Sequence, residues 1–207
     1  MKQLTQVISF ILNPFVMPFL GVVLVLKYHS LFSIIYRSEF TNSLLILAFL
    51  LTIIFPLLSI FVLFKSGMVS DINLSKKEDR TIPTIITLCY YMAFYYFIAR
   101  IDGMSSSILA GYLGGCAALL IAAFITPRWK ISLHSQGISS LAGLFIGITQ
   151  VSFVNHQGMI IALLTCMGLV GTSRLILHKH TPAQVYAGAV LGFSVPYLFT
   201  VFDLAIY

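Results

Sequence analysis

The stretch LLILAFLLTIIFPLLSIFVLF, residues 44–64, contains 21 residues and no charged side chain. An α-helix needs about 20 apolar residues to cross the hydrocarbon core of a bilayer, which is ~30 Å thick. A backbone left without hydrogen bonds in hydrocarbon is too costly, so a spanning segment of this kind is expected to be helical. Residues 44–64 therefore predict a transmembrane helix.

Six further apolar segments accompany this one. They are residues 8–26, 83–99, 108–125, 138–154, 159–175 and 183–202. Three of them, 83–99, 138–154 and 159–175, lie near the lower limit of about 17 residues for a spanning helix. We predict an all-α, polytopic transmembrane helix bundle with seven spans, and six spans as the alternative.

The composition of the whole chain agrees with a lipid environment. Of its 207 residues, 59% are hydrophobic and 9% are charged, whereas soluble domains carry about 25% charged residues. Too few polar residues remain to cover a soluble core. The net charge is +6, but no basic face with interleaved aromatic residues is apparent, so we expect no nucleic-acid partner.

No linker or repeat divides the chain, which we interpret as one integral membrane domain, 1–207. Within it we distinguish an N-terminal two-span hairpin, 1–64, from a core, 65–207. Cys89, Cys116 and Cys166 fall inside apolar segments without metal-ligand spacing and are interpreted as small buried side chains.

Three polar connections contain the candidate functional residues. They follow the second, fourth and sixth predicted spans, at residues 65–83, 126–134 and 173–182. Two spans separate each connection from the next, so all three are expected on one side of the membrane. Their candidate site residues are Lys76, Lys77, Arg80, Lys130, Ser132, His134, Ser173, Arg174 and His180.

This set of side chains suits a phosphate or diphosphate ester. Arginine offers a planar fork that matches phosphate oxygens, and lysine adds a point charge. One neutral imidazole can attack phosphorus while a second protonates the leaving oxygen. Carboxylates occur only in the first connection, as Asp71, Glu78 and Asp79, which does not suit a hard-metal site. The sequence thus favours a reaction through a phosphohistidine, with no metal and no cofactor.

The same residues resemble the type-2 phosphatidic acid phosphatase superfamily. Its signature is a lysine six residues before Arg-Pro, then Pro-Ser-Gly-His, then Ser-Arg, five residues, His, three residues and Asp. Here Arg80 is followed by Pro83, Ser132-Leu133-His134 matches the second motif in part, and Ser173-Arg174 is followed after five residues by His180. The resemblance extends from about Lys76 to Gly192, and the third motif is its most specific part.

The resemblance implies a role for each matching residue. His180 would be the nucleophile and His134 the general acid, while Arg80, Ser132, Ser173 and Arg174 would hold the phosphoryl oxygens. Asn73 stands at the position of the family lysine, so Lys76, Lys77 or Lys130 would replace it. Gln184 stands at the position of the family aspartate, and its amide oxygen could accept the imidazole N–H of the nucleophile.

We therefore expect an integral membrane enzyme, of the bacterial inner (cytoplasmic) membrane by its resemblance, that acts on a membrane lipid. Candidate substrates are phosphatidate, phosphatidylglycerol phosphate and a polyprenyl diphosphate. The alternative is a catalytically inactive relative that binds or translocates anionic lipids. The sequence leaves open the side on which the site faces and the oligomeric state.

Overall fold

The computed structural model describes residues 2–28, 38–72, 74–152 and 155–206. These ranges are helical and contain no strand, so the predicted all-α architecture is confirmed there. The helices are α1 (Lys2–Ile11), α2 (Val16–Tyr28), α3 (Ser38–Phe49), α4 (Phe55–Lys65), α5 (Thr81–Ile98), α6 (Ser106–Ile125), α7 (Leu133–Ser152), α8 (Gln157–Ile176) and α9 (Pro182–Val201). A π-helical turn, Leu50–Ile54, joins α3 to α4, and a 3-10 turn, Glu78–Arg80, leads into α5.

Five helical segments in the described ranges are long and apolar enough to cross a membrane. They are Ser38–Lys65, Glu78–Ile98, Ser106–Ile125, Gln157–Ile176 and Pro182–Val201. Helices α1 and α2 make a sixth if the bent pair is one span. The predicted count of seven is not confirmed, because α7, which covers most of predicted span 138–154, does not reach the same hydropathy. Residues 153 and 154 lie outside the described ranges.

The predicted first span, 8–26, is not one straight helix. Asn13 Oδ1 accepts the N–H of Phe15 at 3.1 Å, and the Asn13 carbonyl accepts the N–H of Val16 at 2.9 Å. Pro14 has no N–H with which to continue a helix. The chain therefore stops and restarts, with 63° between α1 and α2.

The π-helical turn lies where a proline removes a backbone donor. Pro56 cannot donate the helical hydrogen bond to the carbonyl of Thr52, four residues earlier. The hydroxyl of Tyr91, on α5, lies 3.5 Å from this carbonyl oxygen and donates to it. This contact ties the break between α3 and α4 to the neighbouring helix.

Helices α7 and α9 pack closely along glycine positions. A Cβ at Gly188 would overlap the carbonyl oxygen of Ser132, and a Cβ at Gly192 would overlap that of Gln136. Small residues allow such close backbone approach between membrane helices. The Ser132 N–H also donates to the Gln184 carbonyl at 3.2 Å. The start of α7 is thereby held against the first turn of α9.

The apolar core of the described residues has two parts. One centres on Ile138 and Phe145 of α7 and includes Met17 of α2. The other centres on Phe94 of α5 and includes Ala48 of α3, with Leu109 of α6 packed in the same cluster. The first part packs α7 against α2 and α8, through residues such as Val25 and Leu163.

Candidate functional site

One end of the bundle gathers the three predicted polar connections around a single cavity of about 740 Å³. Arg80, Lys130, His134, Arg174 and His180 all line it. They come from the start of α5, the connection before α7, the start of α7, the end of α8 and the connection before α9. No Asp or Glu is among the described residues that line the cavity.

The imidazole of His180 is held through one nitrogen. Its Nδ1 lies 3.2 Å from Gln184 Oε1 and 3.2 Å from the carbonyl oxygen of Lys130. Gln184 Oε1 also accepts the N–H of Thr181 at 3.1 Å, which identifies this atom as the amide oxygen. Both partners of Nδ1 are thus acceptors, so Nδ1 carries the hydrogen and Nε2 keeps its lone pair.

The position of Gln184 follows from the local start of α9. Thr181 is the N-cap residue, and its hydroxyl accepts the N–H of Gln184 at 3.4 Å while the Gln184 side chain accepts the Thr181 N–H. This reciprocal pair is a capping box. Pro182 occupies the first turn of α9, where its missing N–H costs nothing. The helix start therefore orients the amide that orients His180.

Arg174 is a buried cation with an unused donor. Its side chain is only 9% exposed, and its Nε has no hydrogen-bond partner among the described residues. Its Nη1 donates to a neutral acceptor, Ser9 Oγ, at 3.4 Å. A buried charge is costly unless it is paired, so this guanidinium is arranged to receive an anion.

Ser9, on α1, is a site residue that the sequence analysis did not identify. Its Oγ lies 2.9 Å from Ser173 Oγ, and Ser173 Oγ donates to the Val170 carbonyl at 2.9 Å. A chain of donors therefore runs from Arg174 through Ser9 and Ser173 into α8. The signal in the sequence was the pair Thr5 and Ser9, which lie one helical turn apart and are both buried on α1.

Three further cations line the cavity with Arg174. Arg80 Nε donates to the Leu74 carbonyl at 2.8 Å, which leaves its terminal nitrogens for another partner. Burial lowers the pKa of Lys130, and the charges of Arg80, Lys179 and Arg174 lower it further. Lys179, which the sequence analysis also left out, lines the same cavity. Four cations thus repel one another around one space.

The same surroundings keep His180 neutral. Burial lowers its pKa to about 4, with further contributions from the charges of Arg174 and Arg80, against smaller opposing effects of the Lys130 carbonyl and Gln184 hydrogen bonds. An imidazole with this pKa is unprotonated at pH 7. His180 therefore has the protonation state that a nucleophile requires.

Three predicted phosphate ligands do not line the cavity. Ser132 is fully buried, and its hydroxyl accepts the N–H of Ser135 at 3.4 Å at the start of α7. Ser173 is fully buried behind Arg174. The Lys77 side chain is 43% exposed and lies 4.0 Å from Glu78. Their contacts with phosphate stay predictions, and Asn73 lies outside the described residues.

Comparisons of the chain with protein-family models, with curated proteins and with solved structures give no match. The resemblance to the phosphatase superfamily therefore depends on the three short motifs alone. Within the described ranges, no group of three or more His, Cys, Asp or Glu side chains is placed to hold a metal ion.

Proposed function

We propose that the protein is a metal-independent membrane phosphatase that removes phosphate from a lipid phosphate or diphosphate through a phosphohistidine. The observation that carries this proposal is the buried Arg174, whose Nε is unpaired among the described residues. It shares its cavity with Arg80, Lys130 and Lys179 and with no acidic side chain of the described ranges. A dianionic phosphate would neutralise this excess charge and supply the missing acceptor.

The two histidines divide the reaction. His134 takes a proton from the bound phosphate group as the ester binds in its monoanionic form. His180 Nε2 then attacks phosphorus, the bond between phosphorus and the lipid oxygen breaks, and His134 gives that proton to the lipid oxygen. Water then attacks the phosphohistidine, His134 takes the proton of the water, and inorganic phosphate leaves. Arg80 and Arg174 neutralise charge on the phosphoryl oxygens in both steps.

The position of the site in the fold supports a lipid substrate. The cation cluster lies at one end of helices that are apolar enough to cross a membrane. A headgroup could reach it while the rest of the lipid remained among apolar side chains. We propose phosphatidate, phosphatidylglycerol phosphate or a polyprenyl diphosphate as the substrate, a bacterial inner membrane as the location, and α7 as the seventh span.

One observation favours a second candidate function, a catalytically inactive relative that binds or translocates anionic lipids. Gln184 accepts the Nδ1 hydrogen of His180, but a neutral amide cannot stabilise the positive charge that develops on an attacking imidazole. A carboxylate at this position would do so. The binding of a lipid phosphate by the cations does not require this stabilisation of the imidazole.

The deciding experiment compares His180→Asn with His178→Asn. Detergent-purified protein is incubated in EDTA with each candidate substrate, and released phosphate is measured. His178 is an exposed neighbour with a positive φ of 51°, which asparagine tolerates. We expect wild type and His178→Asn to release phosphate and to form an acid-labile phosphoenzyme, and His180→Asn to do neither.

Equal phosphate release by His180→Asn and wild type would overturn the proposal. If no variant released phosphate but lipid phosphates still bound, the function would be that of the inactive relative. Binding is measured by equilibrium dialysis of radiolabelled lipid in detergent, so the two functions give different results.

A further inference from the structure

The cavity at the cation cluster continues along the inside of the bundle. On α5 its lining residues recur every three or four positions, which marks one face of the helix. They are Pro83, Thr84, Thr87, Tyr91, Phe94 and Ile98. The span from Pro83 to Ile98 covers about 22 Å at 1.5 Å per residue. This is longer than half of the hydrocarbon core, or ~15 Å.

The walls of this passage are mostly apolar. Met17, Gly21 and Val25 line it from α2, while Leu141 and Leu144 line it from α7. These aliphatic side chains offer no hydrogen-bonding group, so water inside the passage would find few partners there.

The polar side chains of the α5 face are largely occupied within the protein. The hydroxyl of Thr84 donates to the Arg80 carbonyl at 2.7 Å, and that of Thr87 donates to the Pro83 carbonyl at 2.8 Å. Tyr112, on α6, is a polar exception in this lining. Its hydroxyl has no hydrogen-bond partner among the described residues. The surface of the passage is therefore suited mainly to hydrocarbon.

The cavity also reaches the outer surface of the bundle. Phe10 of α1 and Leu57 of α4 line it and are 81% and 45% exposed, and Ile72, which precedes the 3-10 turn, is 47% exposed. In a membrane, exposed apolar side chains face lipid. A lipid could therefore enter between α1 and α4, beside the cations.

We propose that the hydrocarbon tail of the bound lipid leaves the bilayer and lies inside the helix bundle, along the α5 face. The substrate class is then a lipid phosphate whose tail is long enough to fill a passage of about 22 Å. This inference deepens the proposed function, since it depends on the cation cluster holding the phosphate group. The apolar lining would let the tail leave the bilayer without meeting polar groups, and van der Waals contacts with the walls would hold it there.

Gly115 offers a way to block the passage. It lines the cavity from the middle of α6, and a Cβ added there would meet no atom within 4 Å. A tryptophan at this position would extend into the passage without displacing backbone. Gly168, on α8, is the matched control, because its added Cβ also meets no atom within 4 Å and it does not line the cavity.

The experiment measures kcat/KM for hexyl phosphate and hexadecyl phosphate in wild type, Gly115→Trp and Gly168→Trp. We expect Gly115→Trp to lower kcat/KM for hexadecyl phosphate by about tenfold or more, because the indole ring would occupy the space of the tail and remove its packing contacts with the walls. Its value for hexyl phosphate should stay at that of wild type. Gly168→Trp should leave both values unchanged. Gly115→Leu provides a smaller block if the tryptophan variant does not fold.

Unchanged kcat/KM for hexadecyl phosphate in a folded Gly115 variant would overturn the proposal. Failure of the proposed phosphatase function would give a different result, because neither wild type nor any variant would then release phosphate from either compound. In that case the tail passage is tested by the equilibrium binding of radiolabelled hexadecyl phosphate in detergent. Weaker binding to Gly115→Trp than to Gly168→Trp supports the tail passage, and equal binding excludes it.

Discussion

Ser9 Oγ lies 2.9 Å from Ser173 Oγ and 3.4 Å from Arg174 Nη1, so a residue outside the three motifs connects α1 to the cation cluster. Replacing Ser9 with alanine removes the acceptor that holds one arm of the Arg174 guanidinium. Hydrogen bonds to charged groups contribute about 1.5–3 kcal/mol. We expect Ser9→Ala to raise the KM for lipid phosphate by about tenfold with a smaller change in kcat, measured by phosphate release.

Thr5→Ala is the control for this change. Thr5 lies one turn earlier on the buried face of α1, its hydroxyl donates to the Lys2 carbonyl, and it does not line the cavity. If Thr5→Ala raised KM as much as Ser9→Ala, the effect would come from α1 packing and not from the contact with Arg174.

Gln184 offers a way to test the titration of His180, whose pKa is lowered by burial and by the charges of Arg174 and Arg80. With a neutral amide as its partner, His180 has a pKa lowered to about 4, so it should stay neutral as the pH falls from 7 and protonate only near pH 4. Gln184→Glu places a carboxylate at the same distance, which favours the imidazolium and raises the pKa. We expect ¹⁵N NMR of histidine-labelled protein to show a midpoint near pH 4 in wild type and a higher midpoint in the variant.

The signal of His180 in these spectra is assigned by its loss in His180→Asn. At pH 7 the wild-type spectrum should also show the hydrogen on Nδ1, since both partners of that atom are acceptors. A midpoint in the variant at or below that of wild type would contradict the role given to position 184.

Helix α9 approaches α7 so closely at Gly188 that a methyl group there would overlap the Ser132 carbonyl. Because the obstacle is backbone, the two helices must move apart. We expect Gly188→Ala to destabilise the protein by about 1–3 kcal/mol, the usual cost of overpacking, measured as a lower Tm in detergent. Phosphate release should also fall, because the shift separates His134 on α7 from His180 before α9.

Gly168→Ala supplies the comparison for this helix pair. A Cβ at Gly168 meets no atom within 4 Å, and alanine is favoured over glycine inside a helix by about 0.5–1 kcal/mol. Its Tm should equal or exceed that of wild type. A Tm for Gly188→Ala as high as that of Gly168→Ala would show that α7 and α9 are not held together at this position.

The helices differed in how well the sequence predicted them. The charge-free residues 44–64 predict a helix because lipid penalises every other backbone conformation. The division of residues 8–26 was not predicted, because prolines such as Pro14 are tolerated inside spans and the break depends on the local hydrogen bonds of Asn13. Helix α7 falls short as a span because His134 and Gln136 sit among serines in its first turns. These residues belong to the site end of the bundle.

Most of the cation cluster was also predictable. An even number of membrane crossings returns the chain to the same side. The predicted spans therefore placed Arg80, Lys130 and Arg174 at one end of the bundle. The role of Ser132 could not be predicted. A serine hydroxyl can accept a backbone N–H at the start of a helix or bind phosphate, and the sequence alone does not distinguish the two. Ser9 was missed because α1 lies far from the three motifs in the chain and meets them only in the folded protein.

The whole molecule carries a net charge of +6, and four of its cations surround one cavity without an acidic lining residue in the described ranges. Mutual repulsion of clustered like charges opposes folding, and an anion that binds the folded state alone relieves it. The stabilisation grows with ligand concentration and reaches about 2.7 kcal/mol at 100 times Kd.

Inorganic phosphate should therefore raise the Tm of detergent-purified protein in a saturable way at constant ionic strength, with chloride as the replacement anion. Arg174→Gln should remove most of this increase, since it deletes the buried donor. Lys65→Gln changes the net charge equally but acts at the end of α4, where Lys65 lies over the Phe61 ring and outside the cavity, so it should preserve the increase. Equal loss in both variants would mean that phosphate acts on the overall charge and not at the cation cluster.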